Sequence, residues 1–178
     1  MTADDLKALI RTVPDFPRQG IMFRDITTLL ADGKGLTASV EMIAQRANAV
    51  GAGAIAGMEA RGFIFGAAVA SLLMLGFVPV RKAGKLPVPT IGIDYALEYG
   101  TARLELDPTL IEPGERVIIV DDLLATGGTA LAAAHLLRQA GAVVDTALFV
   151  IDLPDLGGAR RLHDNGIAVE ALMEFEGD

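Results

Sequence analysis

The chain contains no cysteine and no tryptophan. The first absence excludes a disulfide framework, a thiolate zinc site, an iron–sulfur cluster and a cysteine nucleophile. Only two histidines occur, His135 and His163, too few for a histidine-based metal site. Aromatic residues make up 5% of the chain, and 23 acidic side chains outnumber 15 basic ones to leave a net charge of −8. Nucleic-acid binding needs a basic face and rings to stack bases, so a nucleic-acid partner is not expected. Low-complexity tracts, repeats and linkers are missing as well. What remains is 178 residues, 52% hydrophobic and 21% charged, which is enough for one core and one domain over residues 1–178. A cytoplasmic, small-molecule protein is the expectation.

Membrane segments are also excluded. The start, Met1-Thr2-Ala3-Asp4-Asp5, is acidic and does not read as a signal peptide. Residues 62–80 form a 19-residue run without charge, close to the length of a spanning helix. Gly76 and Pro79 interrupt it, so we read a helix over 63–75, stopped by Gly76, and a short buried strand from Phe77.

Apolar spacing predicts helices over 3–11, 36–49, 129–140 and 159–164. Strands are expected over 54–58, 77–81, 116–120, 143–151 and 168–175. Residues 82–90 read as an exposed loop, and 93–106 as a hairpin turning near Tyr99-Gly100-Thr101. Strands that alternate with helices and are apolar throughout predict an α/β fold, a mostly parallel sheet covered by helices on both faces.

The chemistry gathers in Val117-Ile118-Ile119-Val120-Asp121-Asp122-Leu123-Leu124-Ala125-Thr126-Gly127-Gly128-Thr129. A buried strand brings Asp121 and Asp122 to its C-terminal edge, where open α/β sheets bind ligands. A turn then opens a helix whose first N–H groups lack intrahelical partners. Gly127 and Gly128 let the backbone wrap an anion, Thr126 and Thr129 add hydroxyls, and the turn suits one phosphate. Two carboxylates would repel a polyphosphate by about 3 kcal/mol per close charge pair at an effective dielectric of about 20. They accept hydrogen bonds from a vicinal diol instead, or hold a divalent cation through water. A phosphate beside a diol describes a ribose 5-phosphate. Neighbouring strand positions face opposite ways, so the two acids are not expected to share one role.

This stretch resembles the phosphoribosyl-diphosphate signature of the type I phosphoribosyltransferases, most closely the adenine enzymes. Phe16-Pro17 through Gly20-Ile21-Met22-Phe23-Arg24-Asp25-Ile26 is similar to the family's base-binding segment, here about residues 14–30. Gly57-Met58-Glu59-Ala60-Arg61-Gly62-Phe63 resembles its diphosphate loop. Arg81-Lys82-Ala83-Gly84-Lys85-Leu86-Pro87 with Leu97-Glu98-Tyr99-Gly100 resembles its basic loop and hood, about residues 82–106. Ala60 stands where many relatives carry serine.

The resemblance implies the type I phosphoribosyltransferase fold with a small hood over the site. It implies transfer of the phosphoribosyl group from phosphoribosyl diphosphate to adenine, giving AMP and diphosphate in purine salvage. Phosphoribosyl diphosphate would be held by Arg61, Arg81, Lys82, Lys85, Tyr99, Asp121, Asp122, Ala125, Thr126, Gly127, Gly128 and Thr129. Phe23 and Leu123 would sandwich the purine, with groups near Met22 and Arg24 reading its edge. Glu98 would take the proton adenine loses. Magnesium would be held mainly by substrate, with Asp121 and Asp122 as outer partners, and the family implies a homodimer. Two alternatives stay open: another purine base, or a nucleotide-sensing domain without turnover.

Overall fold

The computed structural model describes every residue except 98, 99 and 178. Its chain begins with a short helix, α1 (Ala3–Ala8), capped by the Thr2 hydroxyl on the Asp5 N–H. Two strands follow, β1 (Arg11–Pro14) and β2 (Met22–Asp25), paired antiparallel as a separate ribbon. Helices α2 (Thr27–Ala31) and α3 (Gly33–Ala49) lead into β3 (Ala54–Met58), α4 (Arg61–Leu73) and β4 (Gly76–Lys82). The hairpin is β5 (Ile91–Ala96) and β6 (Thr101–Leu106). The second half runs β7 (Val117–Leu124), α5 (Gly128–Gln139), β8 (Thr146–Asp152), α6 (Gly158–His163) and β9 (Ala168–Glu174).

Seven strands form the main sheet in the order β5-β6-β4-β3-β7-β8-β9. The pairs among β4, β3, β7, β8 and β9 are parallel, whereas β6 runs antiparallel to both β4 and β5. β7 separates the two cores residue by residue. Val117 and Ile119 pack into the layer shared with α5 and α6, while Ile118 and Val120 pack against α1 to α4. All four are fully buried, which is why that strand reads as a continuous apolar run.

Several boundaries differ from the sequence reading, four of them in ways that bear on the site or the packing. The first helix stops at Ala8, and Arg11–Pro14 pairs with β2 instead. The helix over the uncharged run ends at Leu73, capped by Met74 in the left-handed region at φ 55°, and Gly76 opens β4. The signature strand continues four residues past Val120, so both aspartates lie within it. β8 begins at Thr146, with Val143 left as an isolated bridge to Arg116. Pro79 is tolerated because β4 pairs with β6 only at Arg81 and Lys82, so the missing N–H faces an open edge. No helix of the described residues is long and apolar enough to cross a membrane.

Candidate active site

From β3 the chain crosses to β4 on one side, and β7 lies on the other. The C-terminal ends of β3 and β7 therefore mark the point where strand order reverses, the place such sheets bind ligands. A cavity of about 390 Å³ opens there, lined by residues 58–61 and 121–130 with Lys82 and Phe149.

Its floor is built from backbone. Gly127 caps α5 in the left-handed region at φ 79°, and no side chain caps the helix. A Cβ on Gly127 would lie 3.0 Å from the Gly158 carbonyl oxygen. A Cβ on Gly158 would lie 2.4 Å from the Ala125 carbonyl oxygen. The turn and the start of α6 thus pack main chain on main chain, which fixes where the free N–H groups of the first α5 turn point. These groups, with the hydroxyls of Thr126 and Thr129, make a cradle of donors chemically suited to an anion.

The two acids stand in different surroundings. Asp122 is 5% exposed and its carboxylate takes the Arg61 Nε at 2.5 Å. The Asp121 carboxylate accepts the Asp122 N–H at 2.8 Å. Burial pushes the Asp121 carboxyl well above the usual range, and the charge of Asp122 adds to the effect. A Cβ on Gly62 would sit 2.8 Å from the Asp121 Oδ1, so only glycine lets α4 start this close to β7.

Glu59 organises the cations. Its Oε1 accepts the Arg81 Nε at 3.2 Å and the Lys82 N–H at 2.8 Å. Arg81 also donates to the Lys85 carbonyl at 3.2 Å and lies 6.0 Å from the Phe63 ring centroid. Arg61 and Lys82 line the cavity, whereas Arg81 and Lys85 do not. The peptide bond between Glu59 and Ala60 is cis.

The structure brings together Arg61, Lys82, Asp121, Asp122, Leu123, Ala125, Thr126, Gly127, Gly128 and Thr129. Met22, Phe23 and Arg24 are not part of that lining. Phe23 meets Phe16 edge-on at 5.1 Å. Arg24, expected at the purine edge, turns instead to the Thr12 hydroxyl at 2.7 Å and the Glu176 carbonyl at 3.0 Å. Glu98 and Tyr99 lie outside the described residues. The hairpin carrying them is anchored over the cradle, with the Thr129 hydroxyl 3.5 Å from the Tyr95 hydroxyl. His135 and His163 are both exposed.

The sequence reading gave no role to Glu59, Tyr95 or Phe149. Glu59 carried a usable signal, since an acid inside an anion-binding loop has cations to orient. Tyr95 and Phe149 carried none, because their neighbours come from other elements.

Among the described residues no group of three or more His, Asp or Glu is placed to hold a metal ion. The carboxylates of Asp121 and Asp122 at the end of β7 are a hard oxygen donor set that fits magnesium carried largely by substrate oxygens.

A family model described as the phosphoribosyl transferase domain matches residues 26–173. The adenine phosphoribosyltransferase of Novosphingobium aromaticivorans is 71% identical over 177 residues, covering 99% of each chain. The crystal structure of adenine phosphoribosyltransferase from Thermoanaerobacter pseudethanolicus superposes with a TM-score of 0.92 at 46% identity, over 98% of this chain and 100% of that one. The Saccharomyces cerevisiae enzyme, solved with an imino-altritol bisphosphate and adenine, gives a TM-score of 0.91 at 36% identity, over 96% and 98%. With the signature, the cradle and the strand order all in agreement, this chain belongs to the phosphoribosyltransferase family and, within it, to the adenine phosphoribosyltransferases.

Proposed function

We infer that this protein moves the 5-phosphoribosyl group of phosphoribosyl diphosphate onto adenine, releasing AMP and diphosphate. One observation carries the reading: a single cavity holds a helix start with no side-chain cap, two strand-borne carboxylates and two cations, Arg61 and Lys82. The cradle over residues 125–129 suits the 5′-phosphate. Asp121 and Asp122 suit the ribose hydroxyls, and Arg61 and Lys82 suit the diphosphate.

In the reaction the bond from C1′ to the diphosphate oxygen breaks, and its electron pair leaves with diphosphate. A ring nitrogen of adenine bonds to C1′ and loses its proton, which we assign to the Glu98 carboxylate. Positive charge from Arg61 and Lys82 stabilises the departing anion most when it has gained charge, which is when catalysis needs it. Arg81 and Lys85 extend the basic loop, with Arg81 aimed by Glu59. Tyr99 closes on the substrate with the hood. Leu123 offers an apolar face to the purine from the cavity, and Met22 and Phe23 offer theirs from the ribbon. Asp121 and Asp122 would hold magnesium through water, and the bound ion would neutralise diphosphate charge.

Ile64 and Leu72 on α4 are 41% and 53% exposed, an apolar surface that supports pairing of two copies. Phosphoribosyl diphosphate is highly charged and does not cross membranes unaided, which favours the cytoplasm. The deciding experiment is a competition among adenine, hypoxanthine, guanine and xanthine with phosphoribosyl diphosphate and magnesium. AMP should dominate the products. A preference for another purine would overturn the base assignment, and no nucleotide at all would mean a sensing domain.

A further inference from the structure

The search for unassigned chemistry leads to the C-terminal edge of β9. Phe175 follows that strand and is tied to the neighbouring β8, its N–H donating to the Asp152 carbonyl at 3.0 Å. Two cations from the N-terminal region cover its ring. Arg24 of β2 places its guanidinium carbon 4.6 Å from the centroid, and Lys7 of α1 places its Nζ at 4.7 Å. Arg24 reaches one residue further to the Glu176 carbonyl, and the Gly177 N–H donates to Asp155 at 2.7 Å. The same guanidinium bonds Thr12 across the β1–β2 ribbon at 2.7 Å. Its Nε is buried without a hydrogen-bond partner among the described residues, so the side chain has been drawn to the aromatic ring at some cost in solvation.

These contacts tie together parts far apart in sequence. Arg24 is adjacent to Phe23 in the segment assigned above to the purine, while Phe175 and Leu123 pack against one core layer. The ribbon belongs to a two-stranded sheet, and a pair of four-residue strands is marginal without outside support. We propose that Phe175, gripped between Arg24 and Lys7, is a positioning residue that sets the base-binding ribbon at the correct distance from the cradle and so tunes affinity for the purine. This rests on the adenine reading of the segment, and it gives Arg24 a holding role in place of an edge-reading one.

The test compares wild type, Phe175→Leu and Phe175→Tyr in steady-state kinetics with both substrates varied, alongside thermal unfolding followed by circular dichroism. Phe175→Leu removes the ring but keeps apolar volume, and it should raise KM for adenine about fivefold while KM for phosphoribosyl diphosphate stays put. Phe175→Tyr keeps the ring face and should restore the wild-type KM. A merely structural role predicts loss of active protein, with kcat falling and neither KM moving, and that outcome would overturn the proposal. Equal rises in both KM values, or no rescue by tyrosine, would overturn it too. If wild type forms no nucleotide from any purine, the functional reading fails and the latch with it. If wild type makes AMP and Phe175→Leu keeps its adenine KM, the latch fails alone.

Discussion

The cradle over residues 125–129 and the ribbon of β1 and β2 are built in opposite ways. The cradle is main chain packed on main chain, between fully buried strands, with glycines at the contacts. The ribbon is a pair of short strands, mostly half-buried or buried, held by a hydroxyl, a carbonyl and two cations over one ring. A phosphate is the same in every substrate, so a rigid backbone mould can hold it. The site thus divides between an anchor packed in the core and a rim of elements held by a few side-chain contacts.

Substitutions at the two ends should separate along this line. The largest effect is expected at the rim, where we assign proton transfer to Glu98. Glu98→Ala should lower turnover by about 10²–10⁴-fold and leave affinity for phosphoribosyl diphosphate nearly unchanged. Single-turnover rates with an equilibrium binding measurement check both halves. A wild-type rate would remove Glu98 from the chemistry.

At the anchor the order reverses. Gly158→Ala places a Cβ where the Ala125 carbonyl now sits, 2.4 Å away, so the turn must shift. Displacing a positioned phosphate by about 1 Å costs on the order of 10²-fold, and kcat/KM for phosphoribosyl diphosphate should fall by that factor. Adenine KM should move far less. Should both substrates suffer alike, the division between anchor and rim would not hold.

Between the two ends lies Glu59, whose carboxylate aims Arg81 and fixes the Lys82 main chain. Glu59→Gln keeps the shape and removes the charge, so the bond to Arg81 loses its ionic strengthening. Diphosphate affinity should weaken about fivefold to tenfold, read as product inhibition by diphosphate. Inhibition as tight as in wild type would leave Glu59 a loop-stabilising residue only.

The same division governs what could be read from sequence. The apolar run of β7 and the Thr126-Gly127-Gly128-Thr129 turn are local, so residue types alone located the cradle. In β6 the alternation of residue types matches the burial, with Leu104 and Leu106 buried and Arg103 more open. The end of α4 was misplaced because a glycine was available at 76 and the chain did not use it. Met74 takes the left-handed turn instead, 93% exposed, at a cost of about 1–2 kcal/mol, and frees Gly76 to pair with Ala54 in β4. The ribbon was invisible since Pro14 ends one strand and each spans only four residues. The contact of Arg24 with the Glu176 carbonyl was invisible for a similar reason, since that partner lies 152 residues away.

The smallest expected effect concerns how the ribbon is fastened at its inner end. Asp25 accepts the Thr27 hydroxyl at 2.6 Å and the Thr27 N–H at 3.0 Å, and it also pairs with Arg11 across the strands. The Thr27 hydrogen bonds, and then Arg11, hold its carboxyl at about 2 against an ordinary value of 3.8. A carboxyl lowered on folding stabilises the folded state above its unfolded value, so the contribution is complete above pH 4 or so. It is lost as pH falls from 3.8 through 2, when the folded state too must take up the proton. Thermal melts of wild type and Asp25→Asn between pH 5 and pH 2.5 read this directly. At the upper end the variant should melt a few degrees lower, and the gap should narrow as the wild-type carboxylate is titrated. A gap that stays constant across the range would mean that Asp25 fastens the ribbon by shape rather than by charge. The rim would then depend on electrostatics less than Arg11, Arg24 and Lys7 together imply.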